Sequence, residues 1–264
     1  MLIKMTKSQG HSAKPRKGST PTLDPSEVER FRRMAEEWWD PRGKFRPLHQ
    51  IGPARLAFIR EAVLSHFKRD GKGLRPYAGL TFADIGCGGG LICEPLARLG
   101  GTVTGIDPAM RNIEIARLHA EGRDFTVDYR PMTVEELVAE GNTFDCVTSL
   151  EVIEHVPDPA AFIKECARLV RPGGLMILST INRTLKAYAL AIIGAEYVLG
   201  WLPRGTHDWH RFITPEELSG FVRAAGMAPP RLTGFTYDPL RDLWQLDPNT
   251  SVNYLASCAK PALG

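Results

Sequence analysis

The sequence lacks an uncharged apolar run of the ~20 residues that a membrane-spanning helix needs. It also lacks a strong excess of either charge. Its 33 basic and 30 acidic residues leave a net charge of +3, so we expect no nucleic-acid partner. Only five cysteines are present, and none forms a Cys-x-x-Cys pair. The sequence therefore favours a reducing compartment and indicates neither a disulfide framework nor a cysteine zinc site.

Composition divides the 264 residues into three parts. Residues 1–23 are rich in basic, small and polar residues without apolar periodicity, which predicts a disordered basic tail. Residues 24–79 predict a helical extension, because Asp24-Pro25-Ser26-Glu27 has the composition of a helix start. Residues 80–264 predict one α/β domain that carries an insertion at about 183–212.

Within this domain, short apolar segments alternate with segments of helical periodicity. The predicted strands are Leu80–Ile85, Thr102–Ile106, Phe125–Arg130, Phe144–Leu150, Leu175–Thr180, Arg231–Phe235 and Val252–Cys258. Strands that alternate with helices predict a parallel sheet with helices on both faces. We therefore expect a Rossmann-like, mostly parallel sheet of seven strands.

The most informative segment is the turn after the first strand, Asp84-Ile85-Gly86-Cys87-Gly88-Gly89-Gly90. Its glycines let the backbone approach a ligand, and Asp107 at the end of the second strand can accept both hydroxyls of a ribose. The spacing differs from the G-x-G-x-x-G of dinucleotide sites, and an acid before the first glycine would repel a pyrophosphate. Asp84 can instead pair with an amino group, so the pattern favours S-adenosylmethionine over NAD.

A polar cluster follows the fourth strand, at the edge where open α/β sheets bind ligands. It contains Glu151, Glu154 and His155, of which the first and last would share a face if the segment were helical. His155 is a candidate general base, and all three residues are candidate ligands of a divalent cation, with Mg²⁺ the best match to oxygen ligands. A purely structural role at the strand end is equally open. His207 and Asp208, after the insertion, are two further candidates at this edge.

The insertion is the longest interruption of the strand and helix alternation. From 187 to 203 the only charged residue is Glu196, and Lys186 and Arg204 flank the run. An apolar lid with basic flanks can rest in a membrane interface and admit a lipid substrate. We therefore expect membrane-surface contact through residues 186–204, although an ordinary buried helix would have the same composition.

Together these motifs resemble one family, the ubiquinone-biosynthesis O-methyltransferases, which are class I S-adenosylmethionine-dependent methyltransferases. The resemblance spans roughly Pro25 to Tyr254. The segments that carry it are Trp38-Trp39-Asp40, Phe45–His49, Asp84–Gly90, Val103–Asp107, Glu151–Pro159, Pro172-Gly173-Gly174, Gly194–Tyr197, Gly205–Asp208 and Val252–Tyr254. It implies the seven-stranded fold of that class, with an N-terminal helical extension and an apolar insertion after strand five.

The resemblance also implies a reaction, namely methyl transfer to phenolic hydroxyls of polyprenylated catechol and demethyl-quinol intermediates of ubiquinone biosynthesis. With the glycine turn, it gives the predicted cofactor site as Arg55, Asp84, Gly86, Gly88, Asp107, Met132 and Leu150. Glu154 and His155 would activate the acceptor, and His207 and Asp208 would act on the substrate side. Glu151, Glu154 and His155 would be the ligands of a cation, if one is used.

The expected location is cytoplasmic and peripheral on the inner face of the membrane, with a polyprenylated phenol as substrate and a quinone-biosynthesis complex as a further partner. Three other functions stay open at this point. The chain could be an NAD-dependent oxidoreductase, a methyltransferase of a small soluble phenol, or a non-catalytic lipid-binding or assembly module on the same fold.

Overall fold

The structure is a computed structural model that describes residues 23–188, 208–238 and 243–262. Within these ranges the strands are β1 (Thr81–Ile85), β2 (Thr102–Ile106), β3 (Val127–Arg130), β4 (Phe144–Leu150), β5 (Val170–Ile181), β6 (Arg231–Asp238), β7 (Leu243–Asp247) and β8 (Asn253–Ala259). They form one sheet in the order β3-β2-β1-β4-β5-β8-β6-β7. β1 to β5 are parallel, and the remaining pairings are antiparallel.

The helices of the described ranges flank this sheet. They are α1 (Pro25–Met34), α2 (Arg46–His66), α3 (Cys93–Arg98), α4 (Met110–Ala120), α5 (Val134–Ala139), α6 (Pro159–Leu169), α7 (Leu185–Ala187) and α8 (Pro215–Ala224). Local sequence fixes several of their starts. The Asp24 carboxylate accepts the Ser26 N–H at the start of α1, as its sequence predicts, and Thr214 forms a capping box with Glu217 in α8.

The mostly parallel sheet is confirmed, but it has one strand more than the seven predicted. The additional strand is β7, which pairs with β6 at the edge of the sheet. Its five residues are partly exposed and give too short an alternation to be recognised in the sequence. Cross-strand contacts such as Tyr237 with Trp244, whose ring centroids lie 5.4 Å apart, stabilise this hairpin.

Each face of the sheet has its own apolar core, because successive residues of a strand point to opposite faces. Ala83 and Val147 belong to one buried cluster, which α5, α6 and α8 complete. Phe82 and Cys146 belong to the other, which includes residues of α2, α3 and α4. The central strands β1 and β4 are therefore covered on both sides, and only their ends are available to a ligand.

The carboxyl ends of β1, β2 and β4 meet at one edge of the sheet. β1 lies between the other two, with Asp84 in register with Gly105 of β2 and Thr148 of β4. From β1 the sheet continues to β2 and β3 on one side and to β4 and β5 on the other, so the strand order reverses here. Open α/β sheets bind ligands at such a point. The fold thus places the predicted site loops next to one another.

The residues at which the insertion leaves the sheet form hydrogen bonds with the segment before β8. Asn182 donates its backbone N–H to the Val252 carbonyl at 2.7 Å and its side-chain amide to the Thr250 carbonyl at 2.8 Å. The Thr184 hydroxyl donates to the Ser251 carbonyl at 2.6 Å. The root of the insertion is therefore fastened to the chain that enters β8.

Two predicted features fall largely outside the described residues. They are the basic tail, of which only residue 23 is described, and the insertion, of which 189–207 are not described. Among the helices that are described, none combines the length and the apolar character needed to cross a bilayer. The boundaries that we assigned to the three parts of the chain stay predictions.

Two buried tyrosines allow a matched test of hydrogen bonding in the core. The Tyr254 hydroxyl donates to the Ile213 carbonyl at 2.9 Å, whereas the buried Tyr129 hydroxyl has no hydrogen-bond partner among the described residues. We expect Tyr254→Phe to lower the free energy of unfolding by about 1–2 kcal/mol, because a buried carbonyl loses its donor. Tyr129→Phe, the control, should be neutral or stabilising in urea unfolding. Equal losses in both variants would contradict this assignment.

Candidate active site

The glycine turn after β1 is folded tightly against the end of β2. The Gly86 N–H donates to the Ile106 carbonyl at 2.9 Å. Gly86 and Gly88 have φ values of +74° and +52°, in the left-handed region that glycine enters without strain. A Cβ on Gly86 would lie 2.6 Å from Val152 Cγ2. The turn therefore needs glycine both for its backbone conformation and for the close approach of its neighbours.

Asp84 lies beneath this turn and is 3% exposed. Its carboxylate accepts the Thr148 hydroxyl at 2.6 Å and the Cys93 thiol at 3.3 Å. Burial raises the pKa of Asp84 to about 6, although these two donors act to lower it. The sequence predicts a cationic amino group as the partner of Asp84. Such a group, bound beside Asp84, would stabilise the ionised form of its carboxylate.

Asp107 joins the glycine turn to the start of α4. One carboxylate oxygen accepts the Gly88 N–H at 3.0 Å, and the other accepts the Ala109 N–H at 2.8 Å and the Asn112 amide at 3.1 Å. Burial raises the pKa of Asp107 to about 6, against the lowering effect of these donors and with a contribution from the Asp84 charge. The residue predicted to bind a ribose is thus also the anchor of the turn.

Two adjacent tryptophans cover the turn from the N-terminal side. The Trp38 indole packs directly on Gly88, where a Cβ would collide with it, and its N–H donates to the side-chain Oδ1 of Asn112 at 3.0 Å. The Trp39 N–H donates to the Gly89 carbonyl at 2.9 Å. The segment between α1 and α2 therefore forms one wall of the site.

A cavity of about 230 Å³ lies beside the turn. Its lining residues are Trp38, Trp39, Leu48, His49, Gly52, Pro53, Arg55, Leu56, Asp84, Gly86, Cys87, Leu91, Ile92 and Leu150. Among these described residues, Arg55 is the only arginine or lysine and Asp84 the only acid. A guanidinium and a carboxylate in one small, largely apolar cavity complement the carboxylate and ammonium groups of an amino acid.

The structure brings together four of the seven predicted cofactor residues, since Arg55, Asp84, Gly86 and Leu150 line this cavity. The other three are not among its lining residues. The Gly88 N–H donates a hydrogen bond to the Asp107 carboxylate under Trp38. Met132 packs against the core on one face of the sheet. Cofactor contacts of these seven residues stay predictions.

Arg55 lines the cavity from the middle of α2 and also pairs with a carboxylate that is not among the lining residues. Its Nη2 lies 2.7 Å from Glu151 Oε1, and both side chains are largely buried. Glu151 has a φ of +55°, which is unusual for a residue with a side chain. Its backbone N–H donates to the Ser179 hydroxyl oxygen at 3.1 Å, and that hydroxyl donates to Glu151 Oε1 at 2.7 Å.

The neighbours of Glu151 in the sequence face other partners. Glu154 is buried and accepts the Thr180 hydroxyl at 2.9 Å. Burial, and next the Glu151 charge, raise the pKa of Glu154. His155 Nδ1 lies 2.9 Å from Glu27 Oε2 of α1, and its ring meets the Phe31 ring edge-on at a centroid distance of 5.2 Å. Burial acts to raise the pKa of Glu27, but the His155 hydrogen bond and charge, together with the Arg30 and Arg211 charges, outweigh it, so the net shift is downward.

This arrangement does not fit the predicted cation site. Over Ile153–His155 the segment forms a single 3-10 turn rather than an α-helix, so Glu151 and His155 do not share a face. Within the described part of the chain, no group of three histidine, cysteine, aspartate or glutamate side chains is placed to hold a metal ion. We therefore derive no catalytic step through Mg²⁺.

Of the two candidates after the insertion, His207 lies outside the described residues. Asp208 is exposed and accepts the His210 N–H at 3.0 Å, so that it caps the short turn Trp209–Arg211. Arg211 reaches Asp24 at the start of α1, with a distance of 3.3 Å between Nη2 and Oδ2. The turn is thereby tied to the helix that also contacts His155.

Three residues of this region were not recognised in the sequence. Asn112 and Glu27 contact partners more than seventy positions away, and only folding brings them together. The role of Ser179 in holding Glu151 likewise depends on the pairing of β4 with β5. Polar residues at strand ends and helix starts are a weak signal, because most of them only satisfy the local backbone.

The fold and the glycine turn define a methyltransferase of class I. Residues 83–178 match the family model of a methyltransferase domain. A magnesium protoporphyrin IX methyltransferase from Synechocystis with bound SAH superposes with a TM-score of 0.60 at 21% identity, covering 89% of this chain and 95% of that one. The same protein with bound SAM gives a TM-score of 0.56 at 18% identity, covering 92% and 100%. These likenesses show the fold.

The sequence relatives define the family more narrowly than the structural likenesses do. A ubiquinone biosynthesis O-methyltransferase from Parvibaculum lavamentivorans is 54% identical over 91% of this chain and 95% of its own length. Another from a Methylobacterium species is 53% identical over 92% of this chain and 97% of its own. The chain belongs to the ubiquinone biosynthesis O-methyltransferase family. The expectation drawn from its motifs is confirmed.

The raised pKa of Asp84 gives a pH-dependent prediction for stability. Because the folded-state pKa of about 6 exceeds the ordinary value of 3.8, the folded protein binds more protons between these pH values than the unfolded chain. The contribution of Asp84 is therefore most favourable below pH ~4 and declines as the pH rises through ~6. Asp84→Asn removes this titration and keeps an oxygen for the Thr148 hydroxyl.

We expect the stability of Asp84→Asn relative to wild type to increase by about 2 kcal/mol between pH 4 and pH 7. Urea unfolding of both proteins at the two pH values measures it. A difference that stays constant with pH would show that the Asp84 carboxyl does not titrate as assigned.

Proposed function

We propose that this chain transfers a methyl group from S-adenosylmethionine to phenolic hydroxyls of polyprenylated catechol and demethyl-quinol intermediates of ubiquinone biosynthesis. The observation that carries the proposal is the cavity beside the glycine turn, where Arg55 and Asp84 present opposite charges. The relatives named above, with more than 50% identity over most of both chains, support the acceptor class.

The residues at this cavity fit the amino-acid end of S-adenosylmethionine. Arg55 would bind its carboxylate, and Asp84 would face its ammonium group across the apolar walls. When bound, the cofactor supplies a methyl group that its sulfonium has already activated. The protein's task is then to place the acceptor oxygen in line with that methyl group.

The acceptor must also lose a proton, because a phenol with a pKa near ~10 is mostly neutral at physiological pH and a poor nucleophile. We assign this proton to His155. Its Nδ1 is 2.9 Å from the Glu27 carboxylate and its ring is flanked by Phe31, so the imidazole has a fixed orientation. A carboxylate beside an imidazole also stabilises the imidazolium that forms when the proton is taken up.

An assay of methyl transfer to a short-chain prenyl catechol tests this assignment. We expect His155→Ala to lower kcat by about 100-fold or more, since a general base contributes that much, and to leave S-adenosylhomocysteine binding unchanged by calorimetry. His66→Ala is the matched control. It lies at the end of α2 and contacts Gly173 near the amino end of β5, away from the site edge.

Two outcomes would contradict the proposal. Normal turnover in His155→Ala would remove this residue as the base. Wild-type protein that binds S-adenosylhomocysteine but methylates unprenylated catechol as well as the prenylated one would shift the acceptor to a small soluble phenol.

We further propose that the protein works on the cytoplasmic face of a membrane, which it contacts through residues 186–204. A polyprenylated acceptor resides in the bilayer, so the site must reach the membrane surface. Leu185 is 81% exposed and lies just before the apolar run, and Tyr188, at the start of the run, is 41% exposed. Exposed apolar side chains with a neighbouring lysine, here Lys186, suit the interface of an anionic bilayer.

Flotation with liposomes that contain anionic phospholipid tests the contact. We expect Leu185→Glu to reduce the floated fraction several-fold, because a charge replaces an apolar group at the interface. Leu74→Glu is the control, since Leu74 is 93% exposed but lies in the connection that leads to the amino end of β1. Equal flotation of both variants would remove this segment as the membrane contact.

A further inference from the structure

Arg55 lines the cavity to which we assign the cofactor and forms an ion pair with Glu151. The Arg55 side chain is 6% exposed and that of Glu151 is 17% exposed, so solvent screens this pair weakly. The Arg55 Nε is also buried and has no hydrogen-bond partner among the described residues. The guanidinium is therefore only partly satisfied by Glu151 and keeps the capacity to bind a further acceptor.

The structure around Glu151 fixes its carboxylate beside Arg55. Its φ of +55° is a conformation that costs free energy for a residue with a side chain and persists only where surrounding contacts enforce it. Here the Glu151 N–H donates to the backbone and side-chain oxygens of Ser179, both at 3.1 Å. The Ser179 hydroxyl donates back to Glu151 Oε1 at 2.7 Å. Strained backbone of this kind concentrates at functional sites.

Two carboxylates would then meet at one guanidinium. The carboxylate of the cofactor needs Arg55, the only arginine or lysine among the described lining residues, and Glu151 Oε1 lies 2.7 Å from its Nη2. Like charges that close repel in a site of low exposure. Binding of the cofactor must therefore displace the Glu151 carboxylate from Arg55 or proceed against its charge.

We propose that Glu151 sets the affinity of the cofactor site by competing for Arg55 with the carboxylate of the bound cofactor. This inference rests on the proposed function, because it takes S-adenosylmethionine as the ligand. In the free protein Glu151 compensates the buried guanidinium. In the complex the same charge opposes the ligand carboxylate, which weakens binding of both cofactor and product and favours release of the product.

The competition makes a prediction that a purely structural role does not. Glu151→Gln keeps an oxygen that can accept the Ser179 hydroxyl but removes the negative charge. Arg55 would then lack a charged partner in the free protein, so a ligand carboxylate gains more on binding. A ligand without a carboxylate gains nothing. S-adenosylhomocysteine and 5′-methylthioadenosine form such a pair, because the second lacks the amino-acid end.

Calorimetric titration of the full chain with both ligands tests the inference. We expect Glu151→Gln to bind S-adenosylhomocysteine at least fivefold more tightly than wild type and to bind 5′-methylthioadenosine with unchanged affinity. The control is Glu61→Gln. Glu61 lies on the same helix as Arg55, and its carboxylate forms an exposed ion pair with Arg231 of β6. It should leave both affinities unchanged.

If Glu151→Gln does not fold, Glu151→Asp provides a second test. Aspartate tolerates a positive φ better than most residues, and its shorter side chain withdraws the carboxylate from Arg55. The same selective gain for S-adenosylhomocysteine is expected. Unchanged or weaker binding of S-adenosylhomocysteine, or an equal change for both ligands, would overturn the inference. A wild-type protein that binds neither ligand would instead overturn the proposed function itself.

Discussion

The site depends on the hydrogen bonds that the Asp107 carboxylate accepts from three directions. They connect the glycine turn after β1, the end of β2 and the first turn of α4. Through Asn112 the same network reaches the Trp38 indole, which covers the turn. A buried carboxylate is tolerated only when its oxygens are satisfied, so the positions of these elements are mutually dependent. One acidic residue thus specifies both the shape of the turn and the wall above it.

Much of this fold is predictable because its signals are local. The glycine turn, its flanking strands and the capped start of α1 are each encoded within a few consecutive residues, and the structure has them where expected. β7 escaped prediction because an edge strand of five residues needs little apolar periodicity. The presence of Arg55 and Asp84 in one cavity is different, since it depends on how α2 packs on the sheet. Only the family resemblance indicated it from sequence.

Glu151, Glu154 and His155 illustrate the limit of reading a site from adjacency. The three residues fall within five positions, yet their side chains reach α2, β5 and α1 respectively. The reason is the backbone, which enters the left-handed region at Glu151 and then makes one 3-10 turn. Sequence spacing predicts a shared face only for a regular helix. This short segment instead links three layers of the molecule at the edge where the ligand is expected.

The position of β8 has a consequence for how the chain folds during synthesis. β8 lies between β5 and β6, so β6 and β7 have no place in the sheet until residues 253–259 are present. The residues before β8 also fasten the root of the insertion at Asn182 and Thr184. Contacts of such long sequence separation form slowly. The emerging polypeptide therefore exposes the edge of β5 until translation has passed β8, an interval in which chaperones would protect it from aggregation.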